Sequence, residues 1–353
     1  MRSAPFRNRF GAATTLSALL LAWGGLSFLW TPRPGAATPY YLGYLVQVLI
    51  TYVLCKLYPA RDVFRNACLG TAYASAVSTP IAIVLVGFEG GRLGGVDHSS
   101  MVTAISIAAC LGVISVLYLV SDKDMSKSMA ALLLSSMLAA LFLTFAKTTS
   151  ISLVAAGIVY ALIAPGSLGQ RIARIALLAT GLTLALLVAA SKIADYMNRA
   201  AASGADTLTG RTILWVQTYS QIVYGPFMRG NGLLAFREIG PVPFHDVQRL
   251  VHAHNDFLTV WFNFGMVGVV LAFGAYFALA FRSLQAMRRG GGAIAALTLC
   301  VIVFWLADGI ASASQVMTDF PVQWLLLFDC LVSTYLAGAL RGAAPKRSSI
   351  RGV

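Results

Sequence analysis

The sequence predicts an all-α, polytopic integral membrane protein of about ten transmembrane helices with one larger outward-facing, periplasmic loop. Three observations predict it. Of 353 residues, 58% are hydrophobic and 11% charged, whereas soluble domains carry about a quarter charged residues. The apolar residues, which give a mean hydropathy of +0.77, gather in runs near the roughly 17–25 residues that cross a bilayer. Lysines and arginines recur in alternate segments between those runs, as they do at the cytoplasmic ends of membrane helices.

The first run, Gly11 to Trp30, follows Arg2, Arg7 and Arg9. It is long for a signal peptide and lacks a small-x-small cleavage site, so it is read as a span, 12–30. The others are 40–55, 67–87, 100–120, 129–146, 150–164, 172–190, 256–281, 293–312 and 321–340, of which 150–164 is short enough to be tilted or re-entrant. With the N-terminus inside, the inner segments hold Lys56, Arg61 and Arg65, Lys123 and Lys127, Arg171 and Arg174, Arg282, Arg288 and Arg289, and a basic C-terminus. Both termini are therefore expected in the cytoplasm. The net charge of +13 is then an orientation signal spread over short loops, with no implication of nucleic acid. The five cysteines, Cys55, Cys68, Cys110, Cys300 and Cys330, lie in or beside spans, so no disulfide framework and no cysteine metal site is expected.

Residues 1–353 read as a single membrane domain, with one excursion over 191–255 that carries part of a site. Within it, "TGRTILWVQTYSQIVYGP" reads as an amphipathic helix with Ile213, Val216, Tyr219 and Val223 at helical spacing. Gly225-Pro226 ends the helix, and Gly230-Asn231-Gly232 marks a turn.

Nine cations fall on the outward side, where topology does not require them, and three of these stand out. Arg92 sits in "GFEGGRLGGVDHSS", Lys147 in "TFAKTTSISL" and Arg211 in "LTGRTILW". Each could simply reach phospholipid headgroups. The glycines around Arg92, however, let backbone approach an anion, and Arg211 would add its charge to the positive end of a helix. In "VHAHNDFLTVWFNF", His252 and His254 are two apart. On a helix they would diverge; on extended chain they would share a face, and His245-Asp246 could complete a metal site, although the spacing matches no standard signature. Asn255 suits an N-cap and Asp256 a first turn. A neutral histidine at the mouth of a membrane cavity suits a general base for a hydroxyl acceptor. Asp329, near the middle of the last span, and Asp308, at the outer end of the ninth, could couple protons, pack helices or be protonated.

These segments together resemble the O-antigen ligase and polymerase family of bacterial envelope glycan transferases. "HNDFLTVWFNFGMVG" is similar to its signature, in which His and an Asn, Ser or Gln precede nine residues and a G-x-x-G step. "LTGRTILW" followed by "GPFMRGNG" resembles its T-G-R…W…P…G-x-G segment, and "EGGRLGGVDH" its earlier arginine loop. "FAKTTSISL" resembles its S-[RK]-[ST] turn, with Ala146 in place of the serine, and is most similar to the exopolysaccharide polymerase branch.

The resemblance implies metal-independent, inverting transfer at the periplasmic face of the inner membrane, with no cofactor. A polyprenyl-diphosphate-linked glycan is the implied donor, and a glycan or lipid-core hydroxyl the acceptor. Membrane lipids and other polysaccharide export or assembly proteins are the implied partners. The implied catalytic residues are His254, Arg211 and Arg92, with Lys147, Asn255, His252 and Trp215 binding substrate. A polymerase extends a lipid-linked repeat, and a ligase transfers a finished glycan to a lipid core. A secondary transporter or flippase is the reading from a different class. It would depend on Asp329, but no internal repeat supports it.

Overall fold

The computed structural model describes residues 8–89, 92–93, 99–144, 146–172, 174–176, 211–241, 253–310 and 322–342. Its helices are α1 (Ala12–Leu26), α2 (Pro34–Leu57), α3 (Ala60–Val86), α4 (Ser99–Ser121), α5 (Lys127–Thr144), α6 (Lys147–Ile163), α7 (Arg211–Val223), α8 (Ala235–Ile239), α9 (Asp256–Arg288), α10 (Gly292–Asp308) and α11 (Val322–Gly342). Six of them are long and apolar enough to cross a membrane: α3, α4, α5, α9, α2 and α1 with its terminal 3-10 turn. Shorter apolar helices stand at the expected sixth, ninth and tenth spans. The expected seventh, 172–190, lies beyond residue 176 outside the described residues. Between α3 and α4 a two-residue ribbon, β1 (Phe88–Glu89) and β2 (Arg92–Leu93), pairs antiparallel with Glu89 opposite Arg92.

The helices pack in antiparallel succession, α3 on α4, α4 on α5, α6 on α10 and α9 on α10. Helix α1 packs along α9, and α11 is enclosed by α1, α2, α3 and α9. Among the described residues, the ribbon, the α5–α6 turn, the start of α9 and the end of α10 gather at one end of the bundle. At the opposite end Arg61 meets Asp122 at 2.8 Å, and Arg65 meets Asp124 at 2.9 Å.

Helix α9 departs from its sequence reading. A straight helix of its 33 residues would run about 50 Å, well beyond a hydrocarbon core of roughly 30 Å. The helix instead breaks at Gly265, whose φ is +67° and ψ −171°. Phe257 and Phe273 are sixteen positions apart, about 24 Å in a continuous helix, yet their ring centroids lie 5.6 Å apart. The nine residues 256–264 therefore double back along the upper part of 266–288, a segment of about 34 Å. The expected continuous span 256–281 is corrected to a short re-entrant helix followed by the true span.

The break is held open by the loop after α7. Asn231 N donates to Phe262 O at 2.9 Å, and Gly232 N to Asn263 O at 2.7 Å. In the other direction Met266 N donates to Phe227 O at 3.0 Å, and Val267 N to Met228 O at 3.3 Å. Those four α9 groups include both ends of two interrupted i to i−4 bonds, so the loop replaces what the helix loses. Trp23 of α1 donates its indole N–H to Phe264 O at 2.9 Å. A β-carbon at Gly265 would collide with the Met228 carbonyl and stand 2.5 Å from Gly230 N. At Gly230, φ +70°, a β-carbon would collide with Gly265 N. Only two glycines permit backbone to meet backbone here.

Asp329 lies closer to the Arg282 end of the bundle than its place in the sequence suggests. Its Oδ2 accepts from Gly11 N at 2.6 Å, Thr14 N at 3.0 Å and Thr14 Oγ1 at 2.6 Å. The fully buried carboxylate thus caps the first turn of α1, and Arg282 Nε lies 4.0 Å from its other oxygen. Among the three roles left open by the sequence, the geometry is that of helix packing. Asp329→Ala is expected to cost about 2–3 kcal/mol, read as a lower thermal midpoint in detergent, with faster proteolysis at residues 8–14.

Candidate functional site

His254 stands at the foot of the re-entrant helix. Its backbone is left-handed, φ +51°, a region that side chains other than glycine enter at a cost and that histidine tolerates better than most. The residue before it is fixed twice: Ala253 N donates to Thr259 Oγ1 at 3.1 Å, and Ala253 O accepts from Trp215 Nε1 at 2.9 Å. The residue after it is the N-cap of α9, with Asn255 Oδ1 accepting from Leu258 N at 2.9 Å. The expected capping role of Asn255 is therefore present, and Asp256, buried in the first turn, fits the helix dipole.

Trp215 couples this turn to α7. Leu214 and Ile222 of that helix pack with Ala253, Phe262, Leu258 and Trp261, and Thr218 is buried on the same face. Arg211 opens α7 and is half-buried, so its charge adds to the positive end of the helix. The helix expected from the sequence is present, and the residues read at helical spacing lie on its exposed side. Ile213, Val216, Tyr219 and Val223 are exposed, while Leu214, Thr218 and Ile222 face α9. A stripe turned away from the protein is stable where its neighbour is acyl chain rather than water, because lipid is as apolar as a core.

The other expected site residues are placed less fully. Arg92 lies on β2, which packs against α3 and α5 and buries Leu93 in the core; only its backbone is described. Lys147 begins α6 and is likewise placed by backbone. Next to it, Thr149 O accepts from Cys110 Sγ at 3.7 Å. Both positions share the end of the bundle that carries His254. His252, with His245 and Asp246 of the alternative metal site, lies outside the described residues.

Sequence reading missed the end of α10. Asp256 N donates to Gly309 O at 2.8 Å, and Asn255 Nδ2 donates to Ile310 O at 3.0 Å. A cavity of about 90 Å³ opens beside this joint, lined by Asp256, Phe257, Phe273, Tyr276, Trp305 and Gly309 among others. Asp308, fully buried at the same place, belongs to the helix end that receives α9. The only signal in the sequence was the Asp308-Gly309 pair closing an apolar run. Also missed was the support from the segment that follows α1, where Leu233 N donates to Ser27 Oγ at 3.1 Å and Thr31 Oγ1 donates to Leu233 O at 2.5 Å.

Chemically, the arrangement offers a histidine whose backbone is held on both sides, a cationic helix start tied to its turn through one indole, and two further cationic positions at the same end. Irregular backbone at this depth of a bundle occurs where it is buried in protein or lines a cavity, and both conditions hold. Residues 130–273 match a family model described as O-antigen ligase, and no curated protein matches the chain. The match contains α5, α6, α7, α8 and the broken part of α9. Trp215→Phe, which keeps a ring but removes the N–H, is expected to leave the Ala253 carbonyl unsatisfied at a cost of about 1–2 kcal/mol. Hydrogen exchange should then accelerate over 211–223 and leave α4 unchanged.

Proposed function

Because the chain belongs to the O-antigen ligase/polymerase family of membrane enzymes that process glycans, we propose that it transfers a polyprenyl-diphosphate-linked saccharide onto a sugar hydroxyl. The observation that carries this reading is the joint at Ala253. There the helix begun by Arg211 and the turn that holds His254 are fixed to each other by the Trp215 hydrogen bond.

The departing diphosphate develops negative charge, and fixed cations placed where that charge appears lower the barrier. Arg211, at the positive end of α7, carries the largest share of this role, with Arg92 and Lys147 in support. His254 orients the acceptor hydroxyl and takes its proton as the new glycosidic bond forms. The hydroxyl attacks the anomeric carbon from the face opposite the diphosphate, so the configuration inverts. Asn255 and Trp215 shape the turn, and His252, two residues away, completes the substrate-binding set. No metal or cofactor enters this scheme.

The re-entrant geometry supports a donor that is part lipid and part sugar. His254 lies alongside residues about two turns below the Gly265 bend, and not at its apex. A diphosphate drawn to that depth leaves its prenyl chain among the spans and its glycan above them. Polymerisation of exported polysaccharide repeats is the form proposed, at the periplasmic face with both termini cytoplasmic. It rests on the α5–α6 turn, which resembles the polymerase branch; ligation of a finished glycan to a lipid core is the alternative. A secondary transporter or flippase would need Asp329 available to a moving ion, whereas that carboxylate is engaged with the first turn of α1.

The test is complementation of a deletion strain with wild type, His254→Ala and Arg211→Ala at matched membrane levels. Surface polysaccharide and lipid-linked precursors are sized together. Each variant is expected to lose at least about 100-fold of chain extension, with single repeats accumulating on the carrier. Long chains retained on the carrier would identify a ligase. Variants that extend chains at the wild-type rate would contradict the reading.

A further inference from the structure

We propose that the C-terminal turn of α10, through Gly309 and Ile310, positions His254, with Asn255 and Asp256 as the link between them. The inference rests on His254 being the acting residue of the proposed transfer. It concerns residues well beyond the matched segment 130–273.

Two consecutive residues after His254 bond to two consecutive carbonyls of α10. Asp256 N reaches Gly309 O at 2.8 Å, and Asn255 Nδ2 reaches Ile310 O at 3.0 Å. The same Asn255 side chain accepts from Leu258 N, so its amide is fixed at both ends. Before His254, Ala253 is fixed through both its N–H and its carbonyl. His254 alone between these anchors takes a left-handed backbone, φ +51°. A residue held in such a conformation by bonds on either side is over-determined by its surroundings, a pattern that clusters at functional sites. The anchors before His254 come from α7 and α9. Those after it come from the first turn of α9, at Leu258, and from the Gly309 and Ile310 carbonyls that close α10, which no motif assigns to the site.

Gly309 provides a clean probe of this link. Its φ of −64° and ψ of −13° are ordinary helical values, so an alanine is acceptable to the backbone and favours the helix. What a β-carbon there would meet is Asp256, with Oδ2 at 2.5 Å and Cβ at 3.1 Å. The adjoining cavity gives Asp256 room to move aside. Gly309→Ala therefore displaces the turn after His254 without breaking a helix, and Asp256→Ala removes the carboxylate that makes the 2.5 Å approach, leaving only the milder 3.1 Å one to Cβ. A displacement of about 1 Å near reacting groups can cost up to about a hundredfold in rate.

The experiment compares Gly309→Ala, Asp256→Ala and the double variant with wild type in purified protein. One readout is the rate at which diethyl pyrocarbonate modifies His254, followed by mass spectrometry with the other three histidines as internal references. The second is steady-state transfer from a lipid-linked donor, and thermal midpoints are measured alongside. Gly309→Ala should change His254 modification by about threefold or more. It should lower kcat by about tenfold or more with KM within about twofold, at an unchanged thermal midpoint. In the double variant both readouts should return to those of Asp256→Ala alone.

Wild-type modification and kcat in Gly309→Ala would overturn the proposal, as would two effects that simply multiply in the double variant. Should Gly309→Ala fail to insert, Asn255→Ser keeps an oxygen for Leu258 N and removes the donor to Ile310. It should then move His254 modification by a similar factor, and an unchanged rate overturns the proposal. If modification shifts as expected while wild type transfers no glycan, the positioning stands and the transferase reading fails.

Discussion

The constraint on which the rest of this structure depends is that a helix broken inside a membrane bundle must have its backbone groups satisfied by something else. With little water at that depth, an unpaired N–H or carbonyl costs several kcal/mol. At Gly265 the replacement is a length of loop, residues 227–232, that enters the gap and exchanges bonds in both directions. Two glycines on opposite strands of this contact, Gly230 and Gly265, each have a positive φ and leave no room for a side chain at the other. The loop and the helix therefore specify each other, and α1 with the turn that follows it locks them through Trp23, Ser27 and Thr31.

From that joint the site follows. Once the chain reverses at Gly265, residues 256–264 must run beside the span, and their N-terminus arrives beside the end of α10 rather than at the surface. The exposed donors of that helix start need partners, and α10 supplies the Gly309 carbonyl, Asn255 a cap and Thr259 a hydroxyl. Helix α7 seals the remaining side through Trp215 and a small apolar contact. His254 is left between these anchors with its backbone fixed. The polar turn 253–256 thus lies against apolar helices because it forms the base of a re-entrant element, whose polar groups are satisfied by neighbouring backbone.

Much of this was legible in the sequence, for physical reasons. Apolar runs are dictated by bilayer thickness, so the places of six long apolar helices and three shorter ones followed from composition and length. Asn255 as a cap followed from its side-chain chemistry. Gly265 and Gly268 were visible as a motif, but a G-x-x-G step reads equally as close helix packing, and nothing local announces a helix reversal. The partner of Gly265 lies in a loop more than thirty positions earlier, and periodicity carries no information about such a pairing. The spacing of Ile213, Val216, Tyr219 and Val223 was visible, but periodicity does not say which face of a helix meets the protein. Asp329 was legible as costly but not as a cap, because the helix it caps begins 318 residues away in sequence.

The central claim is that α9 doubles back at Gly265 and so carries His254 down beside its own span. The most direct measurement places spin labels at Phe257→Cys and Phe273→Cys, in protein with the five native cysteines replaced, and records the dipolar distance in nanodiscs. A doubled-back helix predicts labels in near contact, with strong broadening from rings that lie 5.6 Å apart in the unlabelled protein. A single narrow distance of about 24 Å, that of sixteen residues of uninterrupted helix, would contradict it.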